Sequence, residues 1–471
     1  MQLAVTKAGR GTGLAVIAAL IGYAVFLFAP QVLNDGDTYW HIRTGEWILS
    51  HHAVPWVDSF SYSFTGKPWL AHEWLSELLL AIAYHAAGWD GILVLCGAAT
   101  ALTLGMMAIH LSRWADRLPA ALMLFLGAAC VGPSLLARPH ILALPMLELW
   151  TAELLIARAE GRAPSWWLLA VIVIWANLHG SFVFGLALAV PLGLEAVIEA
   201  KADPRPAARA WGLFIVAAIA ATLINPYRWR GLLFPFQLSQ MTQVANIGEW
   251  LPMDFHHIQP LEIGLMAVLY VSWTRRVQVP ELRVLILLGL LYLALAHTRH
   301  GMLAGIVGAL VLAEPIGRAT AGEAVAPSRL RPWQWAAGGI VLVVVLTGVR
   351  FADPEVRKDE IAGALAHVPP AILRTPVFNE YGLGGNLIFD GIPPFIDSRA
   401  ELYGDDFLAS YGRIIRPDRA AFLKVADRYH FGWTILSAGS PLADVVENLP
   451  GWRRVYADKD VAVDARTALK Y

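Results

Sequence analysis

Long apolar blocks alternate along the chain with short connections that carry charge, and the block lengths set the first expectation. Most run roughly 15 to 20 residues, the length an α-helix needs to cross a hydrocarbon core about 30 Å thick. They fall at 12–33, 91–111, 119–136, 140–157, 166–180, 181–199, 211–225, 261–274, 284–297, 300–316 and 333–349 and predict about eleven membrane-spanning helices. From residue 350 the pattern changes. A helix is expected at 354–367, and helical stretches at 405–415 and 418–429 alternate with short apolar runs at 376–378, 394–396, 433–436 and 461–463. Strands alternating with helices indicate a small α/β domain. The expected fold is thus a polytopic α-helical membrane protein, residues 1–349, with an α/β domain at 350–471.

One stretch, 70–87, is apolar only in its second half; its first half holds His72, Glu73, Ser76 and Glu77. Read as an amphipathic helix lying along the interface, it lets the charges sort. The inner side then holds Lys7, Arg10, Arg113, Arg117, Arg158, Arg162, Lys201, Arg205, Arg209, Arg275, Arg276, Arg283, Arg318, Arg329 and Arg331. The outer side keeps Arg43, Lys67, Arg138, Arg228, Arg230 and Arg299, six against fifteen. Excess Lys and Arg on cytoplasmic loops sets orientation, so the N-terminus is expected inside a plasma (inner) membrane and the C-terminal domain outside. The first apolar run, too long for a signal-peptide core, is expected to be an uncleaved span. The outer segment 34–90 then carries two surface helices, the first at 38–50 with Tyr39, Trp40 and Trp47 at headgroup level. A Pro- and Gly-containing connector, 55–68, joins them. A second long outer loop is expected at 226–260 and a linker at 318–332.

Composition agrees with this picture. Hydrophobic residues make up 57% and charged residues 15%, where an ordinary soluble chain is about a quarter charged. A net charge of −1 gives no sign of a nucleic-acid partner. Both cysteines, Cys96 and Cys130, lie inside apolar blocks, so no disulfide framework is expected.

Polar groups are costly within a membrane unless they have partners, and here they gather at the outer face. Eleven of the fourteen histidines map there: His41, His51, His52, His72, His85, His140, His179, His256, His257, His297 and His300. Asp35, Asp37, Glu73, Arg138, Asn177, Asn225, Glu249, Asp254 and Arg299 join them. The sharpest local feature is NDGDTYWH, residues 34–41. Asp35 and Asp37 have the spacing to bind a divalent cation such as Mg or Mn through oxygen, or one can act as a general base toward a hydroxyl. Alternatively, Asp37 or Thr38 simply caps a helix. His41, four residues after Asp37, would share its helix face and is with the two acids a catalytic candidate. His72-Glu73 begins HEWLS, which lacks the second histidine of a zinc-protease HExxH motif. Arg138-Pro139-His140 and Arg299-His300 follow apolar spans, and an arginine fork there suits a phosphate or pyrophosphate. Glu249 and Asp254 are the acidic candidates of the later loop, and His179 is a further polar candidate at an outer helix end. Gly382, Gly384 and Gly385 are expected to serve turn geometry.

The acidic motif after the first span, the two surface helices and the C-terminal outer domain together resemble the GT-C superfamily of integral membrane glycosyltransferases, which use polyprenyl-phosphate-linked or polyprenyl-diphosphate-linked sugars. The resemblance implies that Asp35 or Asp37 is the catalytic acidic residue, that Arg299 contacts the lipid phosphate, and that the partners are the bilayer, a lipid-linked donor and an extracytoplasmic acceptor. Residues 377–404 are faintly similar to the region after the last span of oligosaccharyltransferases, with Asn379-Glu380-Tyr381-Gly382 where those enzymes carry WWDYG. The tryptophans and the aspartate are missing, which speaks against transfer to an asparagine sequon and leaves the acceptor open. A polysaccharide ligase or polymerase is a second reading, disfavoured by the size of the C-terminal domain. A transporter is a third, disfavoured because its charges would sit at the midplane.

Overall fold

In the computed structural model the described residues are 11–243, 248–321, 330–354 and 361–467. Lys7, Arg10, Arg329, most of the linker at 318–332 and much of the helix expected at 354–367 lie outside them. The chain forms two compact units. One takes the chain up to Val32, Asp90–Pro235 and the later stretch ending at Pro354; the other takes Leu33–Trp89, a short piece around residues 236–243 and the residues after Pro354.

The first, helical unit is built from the apolar blocks. Its helices are α1 (Thr12–Phe28), the C-terminal part of a long helix that begins in the other unit, α4 (Arg117–Val131), α5 (Pro139–Ala159), α6 (Leu168–Leu178), α7 (Phe182–Glu199), α8 (Arg205–Ala221), α10 (Pro260–Arg275), α11 (Glu281–Ala296), α12 (Gly301–Ala319) and α13 (Pro332–Ala352); α9 (Trp229–Ser239) lies where the chain leaves it. Every block expected to span is helical. Among the described residues six helices are long and apolar enough to cross a membrane: the long helix Trp74–Trp114, α4 with its extension to Ser134, α5, α7, α12 from Thr298, and α13. α1 and α6 are apolar but shorter. α13 leans on α1, where the Tyr23 hydroxyl meets Thr347 Oγ1 at 2.7 Å. Its opposite face leaves Ile340, Val341 and Val344 exposed, an apolar surface suited to lipid. Arginines expected only as topology markers are also structural. Arg283 is 4% exposed and paired with Glu195 and Glu314, and Arg158 pairs with Glu195 and Glu199. Buried cations need such partners.

The second, mixed unit joins the first loop to the C-terminal residues. α2 (Gly36–His51) and the first part of α3 (Trp74–Trp114) are the two loop helices. α3 is broken at Ala87 and at Gly88, whose φ of 60° only glycine adopts freely. The break falls where the sequence separated a surface helix from a span. After α14 (Ala362–Leu365) and α15 (Pro370–Leu373), the C-terminal residues run β1 (Val377–Asn379), α16 (Gly384–Phe389), α17 (Ala400–Ile415), α18 (Arg419–Tyr429), β2 (Trp433–Ser437), α19 (Pro441–Glu447), β3 (Trp452–Ala457) and β4 (Val461–Arg466). The sheet order is β1-β2-β4-β3, with β1 parallel to β2 and the other pairs antiparallel. Val377, Trp433, Ile435, Val461 and Val463 form its core with Ile361, Leu383 and Leu387.

Several expectations are corrected here. Residues 394–396 form no strand; Phe395 and Ile396 donate their amides to the Asn379 side chain, which replaces a ladder partner. β3 was missed because its burial is partial rather than continuous. Of the helix expected at 354–367, the described residues give only α14. Tyr39 and Trp40 are 1% and 7% exposed instead of lying at a headgroup surface. Tyr39 packs edge-on against Trp89 and Phe389, at 5.0 and 5.2 Å between ring centres. Gly384 and Gly385 are helical, and they serve close approach rather than a turn. A Cβ on Gly385 would stand 2.0 Å from the Gly36 carbonyl oxygen, so α16 lies directly on the start of α2.

Candidate functional site

The acidic motif forms the start of α2. Asp35 is extended and is the N-cap, its Oδ1 accepting the Asp37 amide at 2.8 Å. This places Asp35, rather than Asp37 or Thr38, in the capping role, which satisfies an amide that the helix itself leaves unpaired. Asp37 is then free of capping duty and is half-buried. Its Oδ1 accepts a hydrogen bond from the Ser398 hydroxyl, and Ser398 in turn accepts one from the Trp40 indole at 2.9 Å. Tyr381 fixes the same serine by donating to its carbonyl at 3.0 Å. Asp37 is thus a positioned carboxylate, oriented by a residue 361 positions away.

One turn further on, His41 is 3% exposed and lies against the Trp40 ring, 3.7 Å between centres. Its Nδ1 is 3.3 Å from Glu77 Oε1 and its Nε2 is 3.8 Å from Glu73 Oε2. His72 Nε2 stands 3.5 Å from the other oxygen of Glu73. Burial alone would lower the pKa of His72, but Glu73, with Glu401 and Glu77 behind it, outweighs burial and raises it. Burial raises the pKa of Glu401, which accepts from the Trp69 indole at 3.1 Å. Two histidines and three carboxylates therefore share one partly dry cluster, where interactions are stronger than in water.

Beneath it lies a constellation the sequence did not reveal. Arg399 is 1% exposed and donates to both oxygens of Asp397, at 2.8 and 2.6 Å, and to Asp58 at 2.8 Å. Tyr403 donates to Asp397 at 2.7 Å, and the guanidinium lies 4.6 Å over the Trp69 ring. Asp58 also accepts from Ser61 and from the Phe60 amide. The tripeptide Asp397-Ser398-Arg399 thus supplies the holder of Asp37 and the anchor of the connector at 55–68. Its only signal in the sequence was an acid, a hydroxyl and a base inside an otherwise apolar segment.

The remaining candidates lie in the helical unit. Glu249 is held between Arg138, 3.1 Å from Oε2, and Arg299, 3.2 Å from Oε1. Arg299 also lies 4.6 Å over the Trp250 ring. Burial would raise the pKa of Glu249, but Arg299 and Arg138 outweigh it and hold it below the usual carboxylate range. Two guanidiniums against one carboxylate leave one positive charge, so the pair can still attract an anion. His140 donates its Nε2–H to the Ser134 carbonyl, 2.8 Å away, and its ring lies 6.2 Å from that of His179. His179 meets Ser181 Oγ at 2.8 Å. His300 packs against Phe184, His297 and Trp250. Asp254 is exposed and caps a local turn through the His256 amide at 2.9 Å.

The fit of a divalent cation can be judged on the donor set. Asp35 uses one oxygen on the helix start and Asp37 one on Ser398. Among the described residues no group of three or more His, Cys, Asp or Glu side chains is arranged to hold a metal ion. Asp35 and Asp37 are a pair, so a cation held by them would take its remaining ligands from water or substrate.

No protein-family profile matches the chain, and no curated protein sequence is similar to it. The crystal structure of the Archaeoglobus fulgidus oligosaccharyltransferase in its apo form is similar to it in shape, with a TM-score of 0.54 and 12% sequence identity. The likeness covers 90% of this chain and 69% of that one. The likeness is one of fold: this chain, with its apolar helices and small C-terminal sheet, has an overall fold similar to that of the oligosaccharyltransferase.

Proposed function

We propose that this protein is an integral membrane glycosyltransferase that moves a sugar from a polyprenyl-phosphate-linked donor to an extracytoplasmic acceptor. The observation that carries the reading is Asp37, a carboxylate relieved of capping by Asp35 and aimed by Ser398, in a chain with the fold of an oligosaccharyltransferase. In this reading an acceptor hydroxyl attacks the anomeric carbon of the donor and loses its proton to Asp37. The new glycosidic bond forms as the bond from that carbon to the lipid phosphate breaks, and the phosphate leaves with the bonding pair. Within the helical unit, Arg138 and Arg299, which flank Glu249, have the chemistry to neutralise a phosphate. His41, enclosed by Glu73, Glu77 and Trp40, acts as a positioning residue for α2 rather than as a group that meets substrate.

The test is transfer by the purified protein from polyprenyl-phosphate sugars to cell-envelope acceptors. Asp37→Asn is expected to lower turnover by roughly 10²–10⁴-fold, the range for loss of a general base. Asp35→Ala is expected to keep activity per folded molecule while destabilising the helix start by about 1 kcal/mol. Full transfer by Asp37→Asn would sink the assignment.

A further inference from the structure

α8 opens on two arginines four positions apart, Arg205 and Arg209, which share one helix face. With Asp203, Trp166, Leu213 and Phe214 they line a cleft of about 540 Å³. Among the described residues neither guanidinium has an ion-pair or hydrogen-bond partner. Asp203 is turned to the helix start, its Oδ1 accepting the Arg205 amide at 3.0 Å. Two cations and one anion leave one positive charge in the lining. The floor is fixed: Phe214 is 1% exposed and stacks on Trp150 at 5.7 Å, with the Trp166 ring 6.3 Å away. The wall is apolar and open, Trp166 and Leu213 each being 55% exposed and Val216, the next position on the α8 stripe, 64%.

This combination selects for an amphiphile. A free phosphate would meet the arginines but leave the exposed Trp166 and Leu213 uncovered, and an apolar ligand would leave the guanidiniums unmatched. At about 1.5 Å per residue, Val216 lies roughly 10 Å along the axis from Arg209, the reach of a glycerol and the first part of an acyl chain. Basic pockets between apolar helices bind anionic lipid headgroups by this division of labour. We propose that the cleft at the start of α8 binds an anionic phospholipid, the headgroup phosphate between Arg205 and Arg209 and an acyl chain along Leu213 and Val216. It is separate from the candidate residues described above, none of which lines it.

The experiment is native mass spectrometry of the delipidated protein in detergent with added phosphatidylglycerol, phosphatidylcholine or inorganic phosphate. Wild type is expected to retain phosphatidylglycerol at least about tenfold more tightly than phosphatidylcholine, and an Arg205→Ala/Arg209→Ala variant to lose about thirtyfold in that affinity. Arg205→Lys/Arg209→Lys keeps both charges and is expected to bind within about threefold of wild type, which separates loss of charge from loss of fold. Phosphatidylglycerol carrying brominated chains should quench less fluorescence in Trp166→Phe than in wild type. Because a lipid-linked donor is also anionic, sugar transfer by the double alanine variant is followed in parallel and should stay at the wild-type rate. Equal retention of phosphatidylcholine, unchanged binding in the double alanine variant, or displacement by inorganic phosphate as strong as by lipid would overturn the proposal; the last would assign a soluble anion site instead.

Discussion

Arg399 shows what a single residue contributes here. A guanidinium removed from water is costly, and the cost is offset only because Asp397 and Asp58 accept from it on separate edges. Asp58→Asn is therefore expected to destabilise by roughly 3–5 kcal/mol, the cost of breaking a buried pair by removing one partner. Thermal unfolding followed by tryptophan fluorescence measures it, and an unchanged midpoint would refute the role. Glu249 gives the contrasting, more exposed case, with a third of its side chain accessible. Arg299 and Arg138 depress its folded pKa below the usual value, so the stabilisation is present above the ordinary carboxylate pKa and is lost as pH falls through the folded value. Solvent screening limits it to about 1 kcal/mol or less. Glu249→Gln should lower neutral-pH stability by up to about 1 kcal/mol and so flatten the acid limb of thermal stability. Sequence made Glu249, Arg138 and Arg299 candidates one at a time; their convergence on one carboxylate joins residues 111 and 50 positions apart and is a tertiary fact.

At the scale of elements, α2 is the piece on which the proposed chemistry depends, and its neighbours explain its burial. Gly45 meets the first part of α3 so closely that a Cβ would stand 2.0 Å from the Glu77 carbonyl oxygen. Backbone cannot yield there as a flexible side chain can, so Gly45→Val should separate the two helices, displace Glu77 from His41 and sharply lower the yield of folded protein. Gly412, inside α17, has open space where its Cβ would be, and Gly412→Ala should be neutral or stabilising by up to about 1 kcal/mol. If both variants behaved alike, close packing at Gly45 would not be what holds α2. The position of α2 was legible because a capping acid precedes an amphipathic run. Its depth was not, because Tyr39 and Trp40 suit a membrane interface and a protein core equally well, and only Phe389 and Ser398 decide between them.

For the whole molecule, the union of Leu33–Trp89 with the C-terminal residues has a topological consequence. The Asp58–Arg399 pair and the Asp37–Ser398 hydrogen bond require both segments to lie on the same side of any membrane the chain spans. With Cys96 and Cys130 replaced, single cysteines at His52 and Asp427 should react together with an impermeant thiol reagent added from outside, while one at Arg276 should not; all three positions are exposed. Opposite behaviour of His52 and Asp427 would contradict the mixed unit itself, and labelling of Arg276 in place of the other two would invert the orientation. The sequence by itself determined where the helices run, since block length and apolarity are local properties of the chain. It also marked the polar motif after the first apolar block, because uncompensated polar groups beside such blocks are costly. Only the tertiary structure decided which of the two acids of NDGDTYWH is the cap and which is held by a distant serine. It alone joined the first loop to a C-terminal sheet, because hydrogen bonds and ion pairs between residues hundreds of positions apart leave no periodic trace in either segment.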